Sequence, residues 1–246
     1  MAINTELPEK LNSTVESAHL AAEHIFRPIS RKYDKAEHEY PVELDEFAKL
    51  AKQAAERDRS ETREKPAGEE TVNGMNLRGV LSAAEMSWGD VGLMLSIPGR
   101  GLGNAAIAAV ASPEQLERFG DVWASMAITE PSFGSDSAAV TTTATLDGDD
   151  YVINGEKIFV TSGSRASHVV VWATLDRSVG RAAIKSFVVP MDTPGVTVAR
   201  LEHKLGIKAS DTAVIVFENA RVPKENLLGS PEIDTKKGFG GVMQTF

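Results

Sequence analysis

The chain has 246 residues, of which 42% are hydrophobic and 25% charged. That balance supplies sizeable cores without a metal or disulfide staple. A formal net charge of −9 repels phosphate backbones and argues against nucleic acid as a partner, while suiting solubility and a basic protein partner. The absence of cysteine removes disulfides, thiolate nucleophiles, Fe–S clusters and Cys-type zinc sites together. Met1 to Lys10 shows no basic-then-apolar targeting pattern. The longest apolar run, Val91 to Ile97, is too short to span a bilayer. A cytoplasmic location is the expectation.

The first half reads as helical. Thr5 is placed to cap a first helix, with Pro8 in its opening turn. Leu11, Val15, Ala18, Ala22, Ile25, Phe26 and Ile29 then recur on one face at helical spacing. Pro41 opens a second helix with Leu44, Phe47, Ala48, Ala51 and Ala55 on its stripe. The polar stretch from Glu61 to Gly74 reads as a loop, and a third helix runs through Leu77, Val80, Leu81, Ala84 and Trp88. A fourth, rich in small residues, runs from Gly101 to Val110. Ser112-Pro113-Glu114-Gln115 sets a cap, a proline at the first helical position and a Gln at the third, a strong helix start.

Near residue 122 the composition turns toward strands. Val140 to Leu146 is threonine-rich, Asp147-Gly148-Asp149 is a turn signal, and Tyr151-Val152-Ile153 resumes a strand. Asn154-Gly155 is the strongest short hairpin signal. Further strands are expected at Val169 to Thr174, Ser186 to Val189, Val196 to Leu201 and Ala213 to Glu218. Short strands punctuated by turns suggest an antiparallel sandwich or barrel rather than a βαβ sheet. The fold class is therefore α+β. A helical N-terminal domain (1–121) precedes a β-barrel or sandwich domain (122–232), and the start of a further helical domain (233–246) follows, its entry marked by Gly238-Phe239-Gly240-Gly241.

Gly101-Leu102-Gly103-Asn104-Ala105-Ala106 fits the dinucleotide-binding pattern G-x-G-x-x-A, with Asp121 following as a candidate ribose acid. Pro98-Gly99 interrupts the strand-to-helix turn that reading needs, and no βαβ alternation follows. Close helix packing is preferred as the reason for those glycines. The five histidines, His19, His24, His38, His168 and His203, show no metal spacing, and His19 and His24 point to different faces of one helix. No metal is expected.

Four segments carry a more specific signal. They are Trp123-Ala124-Ser125-Met126-Ala127-Ile128-Thr129-Glu130-Pro131-Ser132-Phe133-Gly134-Ser135-Asp136, Asn154-Gly155-Glu156-Lys157-Ile158-Phe159-Val160-Thr161-Ser162-Gly163, His203-Lys204-Leu205-Gly206-Ile207-Lys208-Ala209-Ser210-Asp211-Thr212, and Phe217-Glu218-Asn219-Ala220-Arg221-Val222-Pro223-Lys224-Glu225-Asn226-Leu227-Leu228-Gly229. In this order and at this spacing they resemble the signatures of the acyl-CoA dehydrogenases. The resemblance covers essentially the whole chain, by residue in the second half and by pattern in the helical start.

The resemblance implies FAD as cofactor, an acyl-CoA thioester as substrate, its conversion to trans-2-enoyl-CoA, an electron-transfer flavoprotein as acceptor, and a homo- or hetero-oligomer. A flavin needs an apolar or aromatic wall, hydroxyl donors at its rim and a glycine turn at the phosphates. By resemblance Thr129 and Thr161 bond the ring's rim, and Phe159 packs on the face away from substrate. Met126 and Ile128 line the ring, with Val160 beside them. Gly134 and Ser135 form the turn by the pyrophosphate and the pantetheine arm, so Ser135 also contacts substrate. Threonine is equally common in strands for its β-propensity alone, and Phe159 has a plain core reading. Phe133 stands where the family usually has a small residue. Glu130 is assigned a structural role rather than that of base. The proton-abstracting carboxylate is expected beyond Phe246, so no catalytic residue is expected within these 246. The competing reading is a non-catalytic flavin-holding or scaffold subunit completed by a second polypeptide.

Overall fold

The computed structural model describes residues 11–63, 75–99 and 101–235. The expected cap at Thr5 and the glycine cluster after Gly238 lie outside the described residues, as do most of the polar stretch before Gly74 and the Ala55 side chain. The described chain divides into two compact units. One holds residues up to Ile97 together with His203–Ser210, and the other holds Pro98–Glu202 and the chain from Asp211.

The first unit is helical. Helix α1 (Asn12–Ala21) passes through a π-helical turn at Ala22–Phe26 into α2 (Arg27–Lys35), and α3 (Glu43–Arg63) and α4 (Met75–Leu95) follow. The stripe anticipated from Leu11 to Ile29 faces inward, with Leu11, Ala18, Ala22 and Phe26 buried. Gly89 of α4 lies so close to Ala22 that a Cβ there would sit 2.8 Å from the Ala22 Cβ, which explains two small residues at this crossing. The core gathers Phe26, Tyr33, Leu44, Leu93 and Ala209, with Phe26 edge-on to Phe47 at 5.6 Å. Helix α4 breaks at Asp90, whose extended backbone lets its Oδ1 accept from the Leu93 N–H at 2.9 Å, an internal N-cap. On α4, Leu77, Val80 and Trp88 are exposed.

In the second unit α5 (Leu102–Val110) and α6 (Pro113–Phe119) precede seven strands: β1 (Ala124–Ala127), β2 (Thr143–Asp147), β3 (Asp150–Thr161), β4 (His168–Thr174), β5 (Ile184–Pro190), β6 (Val196–Leu201) and β7 (Thr212–Pro223). The sheet order is β1-β4-β2-β3-β7-β6, with β5 on the other side of β4. Most pairs are antiparallel, as expected. However, β1 runs parallel to β4, and β2 meets β4 in parallel at Thr143–Thr174, so the sheet is mixed. One core cluster includes Ile153, Val160, Phe187, Ile215 and Phe217. A second joins α5 and α6 to the sheet through Ala106, Ile107, Phe119, Trp172 and Val188.

Local signals held in several places. Asp147 and Asp150 close a two-residue hairpin in which Gly148 takes φ 65°. The Ser112 hydroxyl accepts from the Gln115 N–H, and the Gln115 side-chain oxygen accepts from the Ser112 N–H, completing the anticipated capping box. Val91 to Leu95 is helical, which removes the strand that dinucleotide binding would need. A Cβ on Gly103 would collide with the backbone oxygens of Ala124 and Ser125, so that glycine serves close packing of α5 on β1. Asn104 secures the contact, its Oδ1 accepting from the Gly101 and Ala124 N–H groups and its Nδ2 donating to the Val122 carbonyl at 2.7 Å.

The hairpin expected at Asn154-Gly155 is absent. β3 runs unbroken from Asp150 to Thr161, and the pair marks a register shift against β7. Gly155 is required because φ is 154° and a Cβ would run into Thr142. Asn154 accepts from the Asn219 N–H at 2.8 Å. Turn-forming residues here serve a β-bulge.

Candidate functional site

The residues singled out by resemblance lie on β1, the loop after it and the end of β3, all within the second unit. That loop is held from inside. Glu130, 3% exposed, accepts at Oε2 from the Thr141 N–H and hydroxyl and at Oε1 from the Thr142 N–H and hydroxyl. Lys157, fully buried, donates to Glu130 Oε1 at 2.8 Å and to the Ile128 carbonyl at 3.1 Å. Burial by itself would raise the Glu130 pKa, but the bonds from Lys157, Thr142 and Thr141 outweigh it and hold the group at about 2. Burial pulls Lys157 down to about 8 against the opposing pull of Glu130. Both are charged at neutral pH. A buried pair of this kind is tolerated only when its remaining bonds are satisfied, and the two threonines satisfy them. Glu130 is thus committed to structure, as the sequence suggested.

Beyond Glu130 the chain turns at once. Glu130 and Phe133 exchange two backbone bonds at 3.0 and 3.2 Å, a tight turn through Pro131-Ser132. Thr129 is fixed from the other side, its carbonyl accepting from the Ile158 N–H at 2.9 Å. A Cβ on Gly134 would meet only the Thr129 methyl, at 3.9 Å. Gly134 therefore lies beside Thr129 with open space around it, and Ser135 next to it is exposed.

At the end of β3 a second register shift falls between Lys157 and Val160. The inserted residue lets Lys157 and Val160, three apart, both point into the protein. Phe159 takes φ 58° and is 60% exposed. A bulky residue in the left-handed region is an outlier, and such strain persists where the surroundings impose it. Thr161 ends the strand, half-buried, paired with Thr212. Past it, Ser162 is again left-handed, and Asp211 binds the turn by accepting from the Ser164 N–H and hydroxyl at 2.8 and 2.9 Å.

The structure brings Thr129 and Gly134 together and places Phe159 and Thr161 on the same strand end that anchors Thr129. Met126 and Ile128 are half-buried against the cluster under α5. Val160 is set apart, its side chain in the sheet's core, so only its backbone is offered to a surface ligand. Sequence reasoning passed over Lys157, Thr141, Thr142 and Asp211, which hold the site in shape. Lys157 and Asp211 lay inside quoted motifs, but a lysine in a strand carries no mark of burial. For a flavin, the donor set fits. Half-buried hydroxyls at Thr129 and Thr161, an exposed aromatic ring at Phe159 and an open glycine at Gly134 match a planar ring with a polar rim and a phosphate tail.

Residues 125–220 match the family model described as acyl-CoA dehydrogenase, middle domain. The chain is 33% identical to the mitochondrial short-chain specific acyl-CoA dehydrogenase of Sus scrofa, across 98% of this chain and 57% of that protein. Butyryl-CoA dehydrogenase from Megasphaera elsdenii superposes with a TM-score of 0.82 at 29% identity, over 99% of this chain and 63% of that one. A glutaryl-CoA dehydrogenase from Mycobacterium smegmatis in complex with FADH2 gives 0.72 at 25% identity, over 97% and 59%. The chain spans less than two thirds of each of these proteins. The motifs, the fold and these similarities agree: residues 125–220 belong to the acyl-CoA dehydrogenase middle-domain family, and the chain as a whole is similar to acyl-CoA dehydrogenases.

Proposed function

We propose that this chain forms the flavin-contacting part of an FAD-dependent dehydrogenase of short-chain acyl-CoA thioesters, acting in the cytoplasm within an oligomer. The observation that carries the reading is Phe159, its backbone left-handed and its side chain exposed, two residues before Thr161 at the strand end that anchors Thr129. The short-chain preference rests on the names of the porcine and Megasphaera relatives. In this reading residues 1–121, 122–232 and 233–246 are the helical domain, the flavin-contacting domain and the start of a further helical domain.

Bound FAD would supply the hydride-accepting chemistry of an α,β-dehydrogenation, with a carboxylate as base and an electron-transfer flavoprotein as electron acceptor. The residues of this chain bind and orient. The hydroxyls of Thr129 and Thr161 bond the ring's rim, Phe159 covers one face, and Met126 and Ile128 offer an apolar edge. Gly134 leaves room for the pyrophosphate, and Ser135 meets the pantetheine arm. Glu130, spent on the buried network, is not the base.

A second reading, a flavin-holding subunit completed by another polypeptide, draws support from exposed Leu20, Val80 and Trp88 on α1 and α4, apolar surface of the kind a partner covers. Anaerobic titration with butyryl-CoA of an FAD-loaded form extended past Phe246, with no second polypeptide present, separates the two. Bleaching of the flavin absorbance supports the dehydrogenase. Bound flavin that stays oxidised supports the subunit reading. If no FAD binds, or if Phe159→Ala and Thr161→Val leave FAD affinity unchanged, both readings fail.

A further inference from the structure

In the helical unit, the corner between α2 and α3 meets the His203–Ser210 segment. Glu37 accepts at Oε2 from the His203 ring, with Nδ1 at 2.9 Å, and at Oε1 from the Lys204 N–H at 2.8 Å. The ring of His38 lies 5.2 Å from that of His203, centre to centre. One ligand atom from each of Glu37, His38 and His203 falls within 4.8 Å of the other two. We propose that these three side chains form a binding site for a divalent transition metal of the zinc class.

The chemistry favours that class. Two borderline imidazole nitrogens beside one hard carboxylate oxygen suit Zn2+ rather than Mg2+ or Ca2+, which prefer oxygen alone. Zinc takes its ligands at about 2.0–2.1 Å, so the group must draw in by about an ångström. The His203 side chain is 85% exposed and is free to make that move by rotating about its side-chain bonds. Glu37 is already oriented by the Lys204 backbone, the support that ligating carboxylates usually receive. His38 holds φ 73°, a strained backbone of the sort that gathers at functional sites. Three protein ligands leave the fourth tetrahedral position open to water.

The alternative is a hydrogen-bonded knot that only ties the segment down. Titration of the 246-residue chain with Co2+, followed by visible absorption and by displacement with Zn2+, distinguishes the two. The site predicts one equivalent bound, with ligand-field bands that Zn2+ removes. His203→Ala and Glu37→Gln should each weaken binding at least about ten-fold, since even outer partners of metal ligands cost that much. His38→Asn should do the same while keeping a residue that tolerates the left-handed backbone. Circular dichroism checks each fold. If His38→Asn fails to fold, His203→Ala, at an exposed side chain, decides alone. Absence of bound Co2+ and Zn2+ up to millimolar metal, or binding that His203→Ala leaves unchanged, overturns the site.

Discussion

The two units hold themselves together by different means. In the helical unit, contacts between buried apolar side chains such as Phe26, Leu44 and Leu93 dominate, and the buried Tyr33 sends its hydroxyl to the half-buried Glu43 at 2.5 Å. In the β unit, an apolar core is joined by a fully buried ion pair, Lys157–Glu130, with its own set of donors. Packing of apolar surface is non-directional and tolerates substitution, whereas a buried polar network demands each partner. The site belongs to the second kind. The loop carrying Thr129 and Gly134 keeps its shape because Glu130 is anchored at both oxygens.

Breaking the network should produce the largest effect. Lys157→Met leaves Glu130 buried and uncompensated, and should cost about 3–5 kcal/mol in urea-induced unfolding. If instead the loss is under about 1 kcal/mol, the pair does not hold the loop. In the helical unit, Leu44→Ala should cost about 2–4 kcal/mol through a cavity, and near-ultraviolet circular dichroism should show Trp172 of the β unit undisturbed.

The same contrast has a pH signature. Glu130 sits at about 2 when folded and at 4.5 in its unperturbed state. A depressed carboxylate contributes stability above its unfolded value and loses it as pH falls toward the folded one. The β unit should therefore weaken as pH drops from about 4.5 toward 2, and Glu130→Gln should flatten that dependence. A flat profile in the original chain would count against a charged Glu130. The smallest effect is local: Ser112→Ala removes the cap of α6 and should cost about 1 kcal/mol, measurable in the same unfolding series.

Much of the fold was legible where neighbours in sequence decide the conformation. The stripe from Leu11 to Phe26, the Ser112–Gln115 cap and the Gly148 hairpin are each set within a few residues, by periodicity, capping and a left-handed turn. Asn154-Gly155 misled because its local chemistry fits a hairpin equally well. The approach of Thr142, and pairing with β7, keep the strand continuous through it. On α4, the apolar residues Leu77, Val80 and Trp88 read like a core stripe and proved exposed, since periodicity gives a face but not what covers it. Within the site, the resemblance pointed to Thr129, Gly134, Phe159 and Thr161. It could not separate Val160, whose side chain turns inward only because of the bulge after Lys157.

The sequence by itself determined the element types, the α+β class and the family resemblance, because helix periodicity, turn chemistry and ordered motifs are written in short stretches. Tertiary structure alone decided that Lys157 is buried against Glu130, that Gly155 sits within a strand, and that Glu37 and His38 meet His203. The last of these contacts joins residues 166 apart. Such partners are fixed by burial and chain crossing, which charge and spacing along the sequence do not encode.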